Sequence, residues 1–206
     1  MNRVILSAST DETILAVTRQ HKLVDLEIEQ QINTEIVGCI YKGIVKNIVP
    51  AVDGIFVDIG IGKNAFLRRK DLLNEKRFPT EGSPILAQVI KSDTDMKGAL
   101  ITEKISMLGK YAVTLSGTGY IGVSKKIRSE SVRKRLKEIG KEICAEHMGL
   151  IIRTAAENAD MDEFRKDITR LKENWDIIQK RFRMEKSPTL LYRESDIIVK
   201  ALRDYV

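Results

Sequence analysis

Nucleophilic or acid–base chemistry in this sequence would have to run on few residue types. Its histidines are His21 and His147 and its cysteines Cys39 and Cys144; they form no cluster at zinc-ligand spacing and no Ser-His-Asp or Cys-His set. General-base work would fall to carboxylates or lysines. Two acidic groupings invite a metal reading, Asp93 with Asp95 and Asp160 with Asp162 and Glu163. Each also has a plain structural role: the first stands at a turn before Met96-Lys97-Gly98, and the second heads a helical pattern whose N-terminus it would cap. No catalytic residue and no metal ligand is therefore assigned. Gly117-Thr118-Gly119-Tyr120-Ile121-Gly122 matches G-x-G-x-x-G, but a dinucleotide-binding turn must lead directly into a helix. Here it leads into basic, strand-like residues, so a Gly-rich hairpin is expected instead.

Binding chemistry is better represented. Phe56 and Phe66 lie in two short strand-like runs, with Tyr41 and Lys42 in a third. If both rings face outward from adjacent strands, they make a platform on which unpaired bases stack while lysine neutralises phosphate. The alternation taken alone favours two core phenylalanines. Lys and Arg number 35 against 29 Asp and Glu, and the resulting +6 favours an anionic partner. The surplus falls within residues 106–190, and eight of the basic groups there lie between positions 125 and 141. That run reads either as a solvated helix face or as a surface for a polyanion. No apolar stretch is long enough for a signal sequence or a membrane span, and both cysteines sit in apolar runs as reduced thiols would. A cytoplasmic protein is expected.

The elements that must position these residues fall into three segments. Runs at 3–7, 13–18 and 22–29 alternate apolar with polar residues across short turns, which predicts an antiparallel meander. Such a meander needs a second layer to cover it. Five Gly-interrupted strands at 37–48, 54–59, 64–67, 85–91 and 98–102 have the density of a small closed barrel, with a helical turn at 69–73. Beyond 106 the period lengthens. A helix is expected over 129–141 from apolar positions 132, 136 and 139, and a strand over 149–154. Asp160-x-x-Glu163 opens a long helix with apolar residues at 164, 168, 171, 175, 178 and 182, and a last helix begins near 195.

Six motifs, in order along the chain, carry a resemblance: Tyr41-Lys42-Gly43, Gly54-Ile55-Phe56-Val57-Asp58-Ile59-Gly60, Asn64-Ala65-Phe66-Leu67, Lys97-Gly98-Ala99-Leu100-Ile101-Thr102, Gly149-Leu150-Ile151-Ile152-Arg153-Thr154-Ala155 and Arg203-Asp204-Tyr205. Together they resemble the N-terminal part of the ribonuclease E/G family of bacterial endoribonucleases. The resemblance implies an α+β architecture in which a ribonuclease H-like subdomain is split, with residues 1–34 its first part and 190–206 the start of its second. Between them it implies an OB-fold barrel of the ribosomal-protein-S-one type over 35–105 and an α/β 5′-sensor domain over 106–189. The implied function is the RNA-binding and 5′-monophosphate-sensing portion of an endoribonuclease of RNA processing and decay.

By the same resemblance Phe56 and Phe66 contact RNA, Lys97 contacts phosphate, and Gly109, Val113, Arg153 and Thr154 line the 5′-phosphate pocket. These residue types suit a phosphate, since a guanidinium matches its oxygens, a Thr hydroxyl adds a donor, and Gly admits close backbone approach. The implied partner is single-stranded RNA, preferably 5′-monophosphorylated, and the incomplete ribonuclease H-like layer leaves room for a homo-oligomer. In the family, magnesium-dependent cleavage by paired Asp residues and a Cys-x-x-Cys zinc link both fall beyond position 206. No cofactor is therefore expected in this chain, and alone it is expected to be inactive. The competing reading is a free-standing OB-fold RNA-binding or translation-associated protein without nuclease activity, for which the 5′ phosphate would be immaterial.

Overall fold

Alternating apolar residues and two tight turns build the first sheet. In this computed structural model, which describes residues 2–30, 36–94, 97–144, 148–193 and 197–205, strands β1 (Asn2–Ala8), β2 (Glu12–Arg19) and β3 (Lys22–Gln30) form the expected antiparallel meander. The β2–β3 turn places Gln20 and His21 at φ 50° and 65°, the left-handed pair a two-residue hairpin turn of this hand needs. Helix α3 (Ile197–Tyr205) lays Ile197 and Ala201 on Leu15 and Val17, and the Ile197 N–H donates to Glu29 at 3.1 Å. The other face of the meander keeps Ile5, Leu26 and Ile28 about half exposed. These elements make one compact unit from both ends of the chain, Met1–Ile36 with Glu194–Val206; Val37–Arg193 makes the other.

In the second unit β4 (Ile40–Val49), β5 (Gly54–Asp58), β6 (Ala65–Arg68), β7 (Pro84–Lys91) and β8 (Leu100–Thr102) pair in the order β4-β5-β6-β8-β7. The long strand β4 closes the ring, bonding β7 with its first half and β5 with its second. Val45, Ile55, Val57, Leu67, Val89 and Ile101 fill the closed barrel. A 3-10 turn over Arg69–Asp71 occupies the place of the expected helical turn.

Strands β9 (Ser106–Leu108), β10 (Ala112–Ser116), β11 (Ile121–Val123) and β12 (Met148–Ile152) form a second sheet of order β11-β12-β10-β9. Helices α1 (Glu130–Ile143) and α2 (Met161–Met184) cover it through Leu136, Ile139, Phe164, Ile168 and Leu171. Ser129 and Asp160 cap the two helices, Asp160 accepting from the Asp162 and Glu163 N–H groups at 2.8 and 3.3 Å. The hairpin expected over 117–122 does not form. Strand β12 lies between β10 and β11 and pairs in parallel with β11, which a crossover through α1 makes possible. Local Gly content marks a turn but cannot say which strand returns beside which.

Strand β13 (Thr189–Tyr192) leaves α2 and joins the barrel beside β4, Leu190 opposite Tyr41. Here Tyr41 and Lys42 take structural roles rather than a place beside the two phenylalanines. Tyr41 is buried, and the Lys42 ammonium, also buried, donates to the Phe182 and Glu185 carbonyls at 2.6 Å each, satisfying the C-terminal end of α2. Cys39 and Cys144 are not joined in a disulfide, and burial pushes the Cys144 thiol up. Among the described residues, no helix is long and apolar enough to cross a membrane.

Candidate nucleic-acid interface

Strand alternation decides the orientation of the aromatic pair. Ile55, Val57, Ala65 and Leu67 are fully buried, so Phe56 and Phe66 between them project from the outer face of the barrel and are only half-buried. The two are directly opposite in the β5–β6 register, with ring centroids 5.4 Å apart and planes tilted by 50°. Gly54 makes room for them: a Cβ there would stand 2.2 and 2.3 Å from two atoms of the Phe66 ring. The Phe66 ring thus lies down on a strand surface left bare by glycine.

Lys97 stands just before β8, the strand paired with β6. The parallel β6–β8 pairing sets Phe66 beside Leu100, with the Phe66 N–H donating to Ala99 O at 2.7 Å. Three residues before Leu100, Lys97 is exposed in the segment that leads into β8. That segment can run close to Asn64 because of Gly98, whose Cβ would fall 1.9 Å from the Asn64 carbonyl oxygen. The Lys97 carbonyl also closes a turn with Thr94, accepting from the Thr94 N–H at 2.8 Å.

The second candidate corner lies where β9, β10 and β12 end. The sequence predicts a strand through 154, but Arg153 follows the last residue of β12 and precedes a 3-10 turn at Thr154–Ala156, so its side chain leaves the sheet. Its guanidinium donates to Gly109 O at 2.8 Å and Lys110 O at 3.1 Å, drawing the 109–110 loop against the corner. Thr154 is exposed, its hydroxyl 3.1 Å from that of Ser124. Val113 is opposite Leu108 and Ile151 in register, an apolar row on the face away from buried Ala112 and Thr114. The structure thus brings Gly109, Arg153 and Thr154 together, with Val113 on the adjoining sheet face.

Asp167 is the residue that holds this corner and that sequence patterns did not single out. Its buried carboxylate accepts from the Tyr111 N–H at 2.9 Å and the Lys110 N–H at 3.3 Å, and from Arg170 at 3.0 Å. Gly109 leaves the carboxylate its room, since a Cβ would meet Asp167 Oδ2 at 2.5 Å and Leu171 Cδ1 at 2.8 Å. The available signal was a carboxylate at 167 on the apolar stripe of 164, 168 and 171, where a charge must be paired to be buried. The neighbouring Tyr111 hydroxyl donates to Glu163 Oε2 at 2.5 Å. That bond first, and burial second, push the phenol up to about 12.

The acidic groupings do other work. Asp160 caps α2, Asp93 lies 4.0 Å from the Lys63 ammonium, and Asp95 is outside the described residues. Among the described residues no three His, Cys, Asp or Glu side chains converge to hold a metal ion.

Comparison with known proteins agrees with this geometry. Residues 34–102 match the S1 RNA binding domain, and residues 106–206 match the Ribonuclease E/G family. Ribonuclease G of Escherichia coli (strain K12) is 33% identical over 98% of this chain, as is Ribonuclease G of Haemophilus influenzae, and Ribonuclease E of Buchnera aphidicola is 31% identical over all of it. The chain spans 45% of the length of the two ribonuclease G relatives and 23% of that ribonuclease E. An S1 barrel with outward aromatics, followed by a segment matching the Ribonuclease E/G profile and by collinear identity to both enzymes, places this chain in the ribonuclease E/G family.

Proposed function

We propose that the chain is the RNA-gripping and 5′-end-sensing portion of a cytoplasmic endoribonuclease that cleaves single-stranded RNA. The observation carrying this reading is the Phe56–Phe66 pair, two rings in direct register on the outer face of a closed barrel. Unpaired bases stack on the rings, and Lys97 meets the backbone phosphate between them. The 5′ monophosphate docks at Gly109, Arg153 and Thr154, where carbonyl-anchored guanidinium and exposed hydroxyl lie at one corner, and the first base packs on Val113. A 5′ triphosphate carries more charge and bulk than this corner accommodates. In domain terms, residues 35–105 are the OB-fold module, 106–189 the 5′ sensor, and 1–34 with 190–206 parts of a ribonuclease H-like subdomain. Cleavage with magnesium, and the structural zinc, belong to portions of the family architecture other than these modules, so the 206-residue chain binds RNA without cutting it.

Fluorescence anisotropy with a short 5′-monophosphorylated oligonucleotide and its 5′-hydroxyl twin tests the reading. The expected result is tighter binding of the monophosphate, a preference lost in Arg153→Ala. Phe56→Ala and Phe66→Ala should each weaken both oligonucleotides about tenfold, in keeping with about 1–3 kcal/mol per stacked base. Equal affinity of wild type for the two oligonucleotides would overturn the sensing role and favour a free-standing RNA-binding barrel.

A further inference from the structure

Between positions 125 and 142 the chain carries eight Lys or Arg and three Glu, against +6 for all 206 residues. Folding accounts for one of the eight. Arg133 turns inward and donates to Ser124 O at 2.7 Å and Ile127 O at 3.0 Å, closing the preceding loop onto α1. The other seven are exposed, and none of their side chains makes a hydrogen bond or ion pair with a described residue. Several surface cations elsewhere in the same unit do have partners, as in Lys46–Asp58, Arg69–Asp53 and Lys104–Glu75. One of the three glutamates, Glu142, is itself taken up by Arg165 of α2 at 3.0 Å.

Helix stability explains only part of this pattern: Lys141 complements the dipole in the last turn, and Glu130 and Glu138 stand one turn from Lys134. Lys134, Lys137 and Lys141 recur at three- and four-residue steps on the exposed face, where like charges repel by a few tenths of a kcal/mol per pair. Lys134 also stands within two turns of the positive end of the helix dipole. What the stripe does offer is a row of ammonium groups about 10 Å long. No apolar side chain of α1 is exposed beside it, which a helix lying in a lipid surface would need. The row also has an address. The loop that feeds it, Lys125 to Arg128, leaves directly from Ser124, whose hydroxyl is 3.1 Å from that of Thr154.

We propose that the exposed face of α1, with Arg128, Lys134, Lys137 and Lys141, is a second contact surface for the RNA backbone, sequence-independent and continuous with the 5′-phosphate corner. The inference rests on the RNA-binding reading above and extends the footprint beyond the barrel and the pocket.

The test is the salt dependence of binding to a long 5′-monophosphorylated single-stranded RNA, compared with a short oligonucleotide. The triple variant Lys134→Gln, Lys137→Gln, Lys141→Gln should flatten the slope of log K against log salt for the long RNA by about 2, at about 0.7 per lost phosphate contact. Its preference for the monophosphate over the hydroxyl on the short oligonucleotide should be unchanged. Phe56→Ala should weaken binding while leaving the slope in place. An unchanged slope in the triple variant overturns the proposal, and so does an unchanged slope accompanied by loss of binding to phosphatidylserine vesicles, which would assign the surface to lipid. A flattened slope in a protein indifferent to the 5′ phosphate would leave this surface standing and remove the pocket. No RNA binding by wild type would overturn both.

Discussion

At the residue scale, the corner around Gly109 and Arg153 is held by side chains that reach the same loop from two elements. Asp167 collects two backbone N–H groups and one guanidinium, and Arg153 collects two carbonyls of the same loop, so the 109–111 segment is clamped from both sides. Tyr111 adds a third tie through Glu163, with a measurable signature. A phenol raised above its ordinary 10 favours the neutral form, so its contribution to stability is complete below pH 10 and is lost as pH climbs through about 12. In a spectrophotometric titration of the five tyrosines, burial also delays Tyr41, but the last to ionise should be Tyr111, near pH 12, and that last step should vanish in Tyr111→Phe. A titration in which all five ionise together near 10 would show that the Glu163 bond is not formed in solution. The pairing itself was not readable beforehand, because Tyr111 and Glu163 are 52 positions apart and only the packing of α2 on the loop joins them.

At the element scale, the strand period of two decides which phenylalanine faces are wet, and glycine decides how the rings lie. Gly54→Ala is the informative change. Its Cβ would collide with the end of the Phe66 ring, which can swing aside, while no backbone atom comes closer than the Leu67 carbonyl oxygen at 3.4 Å. The barrel should therefore keep its stability to within about 1 kcal/mol, while RNA affinity falls towards that of Phe66→Ala. A thermal melt read beside anisotropy separates the two effects, and full RNA affinity in Gly54→Ala would mean that the ring position is immaterial. The same scale shows where pattern reading stops. The strands, the Ser129 and Asp160 caps and both long helices were legible because each is written in local spacing. The parallel placement of β12 beside β11 was not, since alternation along a strand marks which face is buried and not which strand lies beside it.

For the whole molecule, the chain divides into two units whose ends and middle interleave in sequence, Val37–Arg193 standing between the two stretches of the first unit. The meander explains the need for that arrangement: three strands had one apolar face too many, and α3 from the far end of the chain supplies a cover for Leu15 and Val17. Its other face leaves Ile5, Leu26 and Ile28 in solvent. Ile5→Thr with Leu26→Ser should accordingly shift the stability of this chain by no more than about 0.5 kcal/mol per site, measured by urea unfolding. A loss of several kcal/mol would show that this face is packed in solution.

Local spacing alone was enough to set out the meander, the five-stranded barrel, the helical caps and the segment holding the charge, because hydrophobic period, turn chemistry and charge are properties of neighbouring residues. Collinear motifs did more, pointing to the family and to Phe56, Phe66, Lys97 and Arg153 before any geometry was known. Tertiary structure alone decided that Lys42 is a buried cap for α2 rather than a phosphate ligand, that Asp167 clamps the corner, and that the seven exposed cations at and before α1 have no partner among the described residues. Each of those facts depends on which distant groups share a dielectric environment and a hydrogen-bond distance, and burial, not sequence adjacency, sets both.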